Sequence, residues 1–277
     1  MPAVSSAAVI QATSNAPWEV AIAPFRVTDQ IYYIGNIWVG AYLIDTKDGL
    51  ILLDTMCAET VYLMVDAIYR LGYKPEQIKY ILISHAHVDH FGGAQMLKKL
   101  SGAKIFLSKE DDEFRFNTRA ANSAASKPTG ATFRVYDYDV DEHYDDGHPI
   151  QLGNITIETR LTPGHTPGVT TFFIHINQND GSTVTAAMHG GVGVLTMSDE
   201  YFEESGLPSS LRDRFITDCE KMMDIPVDIC LPSHPAHYPG NFFDKNGKDT
   251  FFDNTAWRRF LTERATLARK LLSNEKS

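Results

Sequence analysis

The sequence predicts an α+β chain in which two β-sheets pack face to face with helices outside. Two observations carry this: β-type runs fall in two series, residues 31–53 and 150–187, and segments with helical apolar spacing follow each series. A third sets the scale, since 277 residues with 43% hydrophobic and 11% aromatic content supply side chains for a large core.

In chain order, residues 1–24 are rich in Ala, Ser and Pro and read as a loose N-terminal arm, leaving 25–277 as a single domain. Ile31 to Ile34, Ala41 to Asp45 and Leu50 to Leu53 are short β-type runs separated by turn residues such as Lys47-Asp48-Gly49, the pattern of an antiparallel meander. Ala58 to Leu71 places Val61, Leu63, Met64, Ile68 and Leu71 at helical spacing and stops at Gly72. A buried strand at Lys79 to Ile83, a helix at Ala94 to Leu100, a strand at Lys104 to Leu107 and an acidic helix over Lys109 to Asn117 follow. Thr118 to Asp146 is long for a connection and reads as a wall of the active site. The second series runs through Ile150, Ile155 to Ile157, Thr170 to Ile176, a turn at Gln178 to Gly181, and Thr183 to Ala187. Helices near Leu211 to Met223 and Thr255 to Leu272 flank a last strand at Val227 to Leu231.

Charge and composition exclude several functions. A formal net charge of -10 repels a phosphate backbone and no basic tract offsets it, so nucleic acid is not an expected partner. No apolar run approaches the roughly 18 residues of a membrane span. The first residues lack a positive region followed by a long apolar stretch, which fits a cytoplasmic chain or a mature exported form. Cys57, Cys219 and Cys230 have no CxxC spacing and no even disulfide count, and read as buried or incidental thiols.

The chemistry is concentrated in Ser84-His85-Ala86-His87-Val88-Asp89-His90-Phe91-Gly92-Gly93, where four potential ligands fall within six residues between a strand and a helix. Imidazole and carboxylate suit zinc, and this HxHxDH order offers more donors than one tetrahedral ion with an open position uses, so the loop reads as half of a two-zinc site. Alternate residues of an extended loop project to one side, letting His85 and His87 share one ion while Asp89 and His90 turn toward another. Leu161-Thr162-Pro163-Gly164-His165-Thr166-Pro167-Gly168 locks the backbone around His165, the third donor for the first ion. In Ile229-Cys230-Leu231-Pro232-Ser233-His234-Pro235, His234 directly follows a strand and is preferred over His237 as the donor completing the second. Asp54 ends an apolar strand, where a bare carboxylate is costly, and reads as a group that orients a ligand histidine.

HxHxDH, PGHTPG and the strand-then-HP motif, in this order, resemble the metallo-β-lactamase superfamily over roughly residues 20–270, most closely the third subclass of class B β-lactamases. The resemblance implies a four-layer αβ/βα sandwich with the site at the edge between the sheets. It implies two Zn2+ ions, one held by His85, His87 and His165, the other by Asp89, His90 and His234, and it supports Asp54 as the orienting carboxylate. The chain departs from the pattern at Met188-His189-Gly190-Gly191-Val192. Glyoxalase II and homoserine-lactone lactonases carry a metal-bridging Asp where His189 stands, and the third subclass carries serines for the substrate carboxylate where Gly190 and Val192 stand. His189 and Gly190 are accordingly the candidate points of substrate contact, set against a supporting or structural role for His189, which is the preferred reading.

The implied activity is hydrolysis of a β-lactam or related cyclic amide by a zinc-bridging hydroxide, with Asp89 binding the second zinc and orienting the hydroxide on a small-molecule substrate. The alternatives are a lactone or thioester hydrolase of the same fold and a non-catalytic metal-binding member.

Overall fold

The computed structural model describes residues 7–116, 129–178, 180–245 and 251–274. The first sheet has seven strands, β1 (Phe25–Arg26), β2 (Ile31–Tyr33), β3 (Tyr42–Asp45), β4 (Leu50–Leu53), β5 (Ile78–Leu82), β6 (Lys104–Leu107) and β7 (Glu142–His143), ordered as they occur in the chain. β1 to β4 pair antiparallel as the expected meander, and β4 to β7 pair parallel through crossovers. The second sheet runs β12-β11-β10-β9-β8 and comprises β8 (Ile150–Leu152), β9 (Ile155–Leu161), β10 (Thr170–Asn177), β11 (Thr183–His189) and β12 (Ile229–Cys230). Its pairs are antiparallel except β11 with β12.

Period-two alternation explains why the central strands are apolar throughout. Tyr42, Ile44, Ile51 and Leu53 turn into one cluster with Ile157, Phe172, Ile174 and Ala186 of the second sheet. Leu43, Leu50 and Leu52 turn the other way, into a second cluster with Val61, Met64 and Ile68 of α2 (Val61–Arg70) and Leu97 of α4 (Ala94–Ser101). On the far side, Phe202 of α6 (Asp199–Ser205), Phe215 and Cys219 of α7 (Ser210–Met222) and Trp257, Phe260 and Leu261 of α8 (Ala256–Asn274) join the first cluster. Helices thus lie outside two facing sheets, as the sequence predicts. All three cysteines are buried and free.

The N-terminal reading needs correction. Residues 7–15 form helix α1 (Ala7–Asn15) and Pro17–Val20 a 3-10 turn, with Val9 and Val20 buried in the second cluster. Gln11 Nε2 donates to the Thr129 carbonyl at 2.7 Å and Ser14 Oγ to that of Thr132 at 2.6 Å, so tertiary contacts fix a segment whose composition reads as loose. Residues 1–6 of the arm, Asn117 of the acidic helix, residues 118–128 of the long connection and Asn179 of the turn lie outside the described residues. The acidic helix is α5 (Lys109–Phe114). Past residue 128, Phe133 stacks on Trp38 with ring centroids 5.8 Å apart, backing one wall of the site.

Candidate metal centre

All six expected ligands lie where loops leave the two sheets. His85 and His87 sit in the loop after β5, and Asp89 and His90 on the short helix α3 (Val88–Phe91) that this loop enters. His165 lies in the loop between β9 and β10, and His234 follows β12. The fold brings them together as two triads, His85/His87/His165 and Asp89/His90/His234, each with its ligand atoms within 4.8 Å of one another. Within the first, His85 Nε2 lies 3.1 Å from His87 Nδ1, which lies 2.9 Å from His165 Nε2. Within the second, His90 Nε2 and His234 Nε2 are 3.2 Å apart, and Asp89 Oδ2 lies 3.5 and 3.4 Å from them. The rings of His85 and His90, 4.1 Å apart, join the two triads.

Outward contacts fix the direction of the inner nitrogens. His234 Nδ1 donates to the Trp38 carbonyl at 2.8 Å and His165 Nδ1 to that of Gly193 at 2.7 Å, which leaves the Nε2 lone pair of each neutral ring pointing inward. His90 Nδ1 is 2.7 Å from Asp54 Oδ2. Burial pushes His85 and His87 well below the usual histidine range and His165 down to about 4, so these rings remain neutral ligands. Burial also depresses His90, but the Asp89 and Asp54 carboxylates outweigh it and raise the ring above its ordinary value. Neutral imidazoles with converging lone pairs next to a carboxylate form a donor set that a divalent cation satisfies. The residues present therefore fit a metal, and the site is a metal-binding one.

Asp54 occupies the orienting position expected of it. Fully buried, it accepts from Ser84 N at 2.7 Å and Ser84 Oγ at 2.8 Å as well as facing His90. Its φ of 62° lies in the left-handed region, an arrangement costing on the order of 1–3 kcal/mol that the surrounding bonds hold in place. A second carboxylate, which sequence reading did not single out, ties the loops together. Asp111 of α5 accepts from Ala86 N, Thr166 Oγ1 and Gly168 N, each at 2.7 Å. Burial pushes its carboxyl up to about 6, against the pull of these three donors.

The triads open on a cleft of about 220 Å³ lined by Ile10, Trp38, Val194, Leu195, His237 and Arg264 besides the ligands His87, Asp89, His165 and His234. His189 and Gly190, the candidate substrate contacts, are not in this lining. His189 is fully buried with its ring 5.5 Å from that of Phe215, and neither ring nitrogen meets a hydrogen-bond partner among the described residues. A Cβ on Gly190 would stand 2.5 Å from the Thr170 carbonyl oxygen and 2.8 Å from Ser84 Cβ, so this glycine serves close packing. The segment reaches the cleft only at Gly193, where a Cβ would press to within 2.9 Å of His165 Cε1. His237 remains outside the triads but shares the cleft.

The fold and the two triads define a metal-binding class of protein, and comparison with known proteins agrees. The description "Metallo-beta-lactamase superfamily" matches residues 39–184, and the chain belongs to that superfamily. Among solved structures it is similar to BJP-1, a subclass B3 metallo-β-lactamase of Bradyrhizobium japonicum, with 25% identity, 94% of this chain and 97% of that one covered, and a TM-score of 0.79. Among curated proteins it is 28% identical over 199 residues to the human mitochondrial persulfide dioxygenase ETHE1, covering 71% of this chain and 63% of that protein. It is 29% identical over 139 residues to the hydroxyacylglutathione hydrolase GloC of Haemophilus influenzae, covering 50% and 63%. The chain thus spans less than two thirds of the length of either curated relative. The four-layer αβ/βα sandwich of the subclass B3 enzymes is the fold observed.

Proposed function

We propose that the protein is a two-zinc hydrolase that opens a β-lactam or related cyclic amide, with His85, His87 and His165 holding one ion and Asp89, His90 and His234 the other. The observation that carries this reading is the pair of complete triads side by side, with carbonyl and carboxylate partners on the outer nitrogens of His165, His90 and His234. The near-complete mutual coverage with BJP-1 supports the cyclic-amide substrate. When bound, two zinc ions supply hydroxide at neutral pH and polarise a carbonyl. The chain's own residues do the rest: Trp38, Val194 and Leu195 form apolar walls that shed water from the substrate, and Asp89 orients the nucleophile from the second triad. In net terms a C–O bond forms, the ring C–N bond breaks, and the proton from water ends on the departing nitrogen.

A thioester or lactone hydrolase is the second reading, favoured by the similarity to GloC. Turnover of penicillins, cephalosporins, carbapenems, acyl-homoserine lactones and acyl-glutathione thioesters, with and without a chelator, separates the two when zinc per chain is measured alongside. Two zincs with chelator-sensitive β-lactam turnover is the expected result. Thioester or lactone turnover alone would establish the second reading, and a protein that takes up no zinc would overturn both.

A further inference from the structure

His85, Ser84, Asp54 and His90, all fully buried, form one hydrogen-bonded line between the two triads. His85 Nδ1 lies 3.1 Å from Ser84 Oγ, Ser84 Oγ lies 2.8 Å from Asp54 Oδ2, and the same carboxylate oxygen lies 2.7 Å from His90 Nδ1. The ends of the line fix its protons. His85 turns Nε2 toward His87 Nδ1, at 3.1 Å, so the neutral ring carries its proton on Nδ1 and donates it to Ser84 Oγ. The serine hydroxyl has a single proton to give. The Gly190 carbonyl oxygen stands 3.4 Å away and Asp54 Oδ2 stands 2.8 Å away, so the nearer and charged oxygen accepts it. Asp54 Oδ2 thereby serves each triad, His90 directly and His85 through Ser84.

The backbone holds this line from both sides. Ser84 N donates to Asp54 Oδ1 at 2.7 Å, Asp54 N to the Leu82 carbonyl at 2.9 Å, and Thr55 N and Oγ1 to the His90 carbonyl at 2.8 and 2.9 Å. Gly190 leaves room for it, since a Cβ there would stand 2.8 Å from Ser84 Cβ and push the hydroxyl off the line. The two triads also differ in charge: the second contains Asp89, whereas the first is three imidazoles. The outer nitrogens of His165 and His87 face neutral oxygens, the Gly193 carbonyl at 2.7 Å and the Tyr201 hydroxyl at 3.4 Å. Hydrogen bonds in series polarise one another, and an imidazole whose outer N–H leads to a carboxylate is the more basic metal ligand. Ser84 passes that influence to a triad that has no carboxylate of its own.

We propose that Ser84 is a positioning residue shared by both metal subsites: its hydroxyl extends the Asp54 carboxylate to His85, so that one buried charge orients and strengthens a ligand in each triad. This rests on the reading of the triads as a metal centre. It also gives Gly190 a part in the site without contact with the cleft, as the residue whose missing side chain keeps Ser84 in line.

The test is zinc competition titration of the unmodified protein, Ser84→Ala, Asp54→Asn and the double variant. Cobalt(II) loading followed by proton NMR assigns each binding step to a triad through the ring resonances that shift. Ser84→Ala is expected to weaken the ion of the first triad about tenfold and that of the second less than about twofold. Asp54→Asn keeps the shape of the side chain and suits the left-handed φ of 62°, and it should weaken both ions by about tenfold. In the double variant the first ion should again be weakened only about tenfold, because both changes cut the same line; independent effects would multiply to roughly a hundredfold. The cobalt(II) protein adds a readout that general loosening would not move, since each of the five ligand histidines carries one exchangeable ring N–H beside the paramagnetic ion. Ser84→Ala should hasten solvent exchange at one of them, that of His85, and spare the other four. An unchanged first-ion affinity in Ser84→Ala, an Asp54→Asn variant that weakens the second ion alone, or losses that multiply in the double variant would overturn the shared role while two bound ions left the metal centre standing. A protein that takes up neither zinc nor cobalt would overturn the metal centre itself, and the role of Ser84 with it.

Discussion

His189 brings an imidazole into the interior at the end of β11, where it packs on Phe215 and bonds to nothing among the described residues. A buried polar ring without partners forfeits its hydration, so its retention costs roughly 1–3 kcal/mol. Burial depresses its pKa to about 3, from an ordinary value of 6.5. Because the folded value is the lower one, stability from this group is fully present above pH 6.5 and is lost as the pH falls toward 3. The shift corresponds to an effect on the order of 4 kcal/mol across that window. His189→Leu, which keeps a similar volume and removes both nitrogens, is expected to raise stability by about 1–2 kcal/mol at pH 7. It should also flatten the fall in denaturation midpoint between pH 6.5 and 3. Urea titrations at several pH values check this, and a variant that is less stable at pH 7 with an unchanged pH profile would show that the ring has a partner that matters.

Among the elements, α5 does more than its six residues suggest, because Asp111 bridges the loop of His85 and His87 to the loop of His165. Ser108 caps this helix by accepting from Asp111 N at 3.2 Å and also donates to the Gly168 carbonyl at 2.7 Å, adding a second tie to the same loop. Asp111→Ala would leave three buried donors without an acceptor, at an expected cost of about 3 kcal/mol, and would loosen His165 relative to His85 and His87. Zinc competition titrations should show the first ion weakened more than the second; equal weakening of both would mean that α5 supports the fold generally and not this triad. Most elements and the residues that form both triads were legible in the sequence because their signals are contiguous. Leu50 to Leu53 is buried on both faces, HxHxDH falls in one loop, and PGHTPG fixes its own backbone. What escaped depends on partners distant in the chain. Helix α1 has only Val9 and Ile10 as large apolar residues and is held from residues 129 and 132; Arg264 and Trp38 reach the cleft only when α8 and the β2–β3 loop are brought against His165 and His234. His189 and Gly190 were the converse case, a departure from the family pattern where the His189 ring turns into packing and Gly190 lies too close to Thr170 and Ser84 to carry a side chain, which leaves the cleft to Gly193.

At the scale of the whole molecule, the six triad residues divide between the halves of the sandwich. His85, His87, Asp89 and His90 leave the first sheet, His165 and His234 leave the second, and each triad takes donors from both. A metal bound there crosslinks the two sheets at one edge, next to the cluster that holds Tyr42 and Phe172. Such an ion binds the folded chain in preference to the unfolded one, so it adds about 2.7 kcal/mol when free metal exceeds its dissociation constant a hundredfold. For a chain of this length each kcal/mol moves the melting temperature by roughly 2–4 °C. Chelation is therefore expected to lower the Tm by about 5–10 °C per ion lost, and readdition of zinc to restore it in proportion to the logarithm of its free concentration. Replacing His234 by Ala should cut the zinc stoichiometry from two to one and leave roughly half of this shift. Differential scanning calorimetry with metal analysis on the same samples decides the matter: an unchanged Tm after proven loss of zinc would mean that the sheets are held by their core alone and that the ions play no part in joining them.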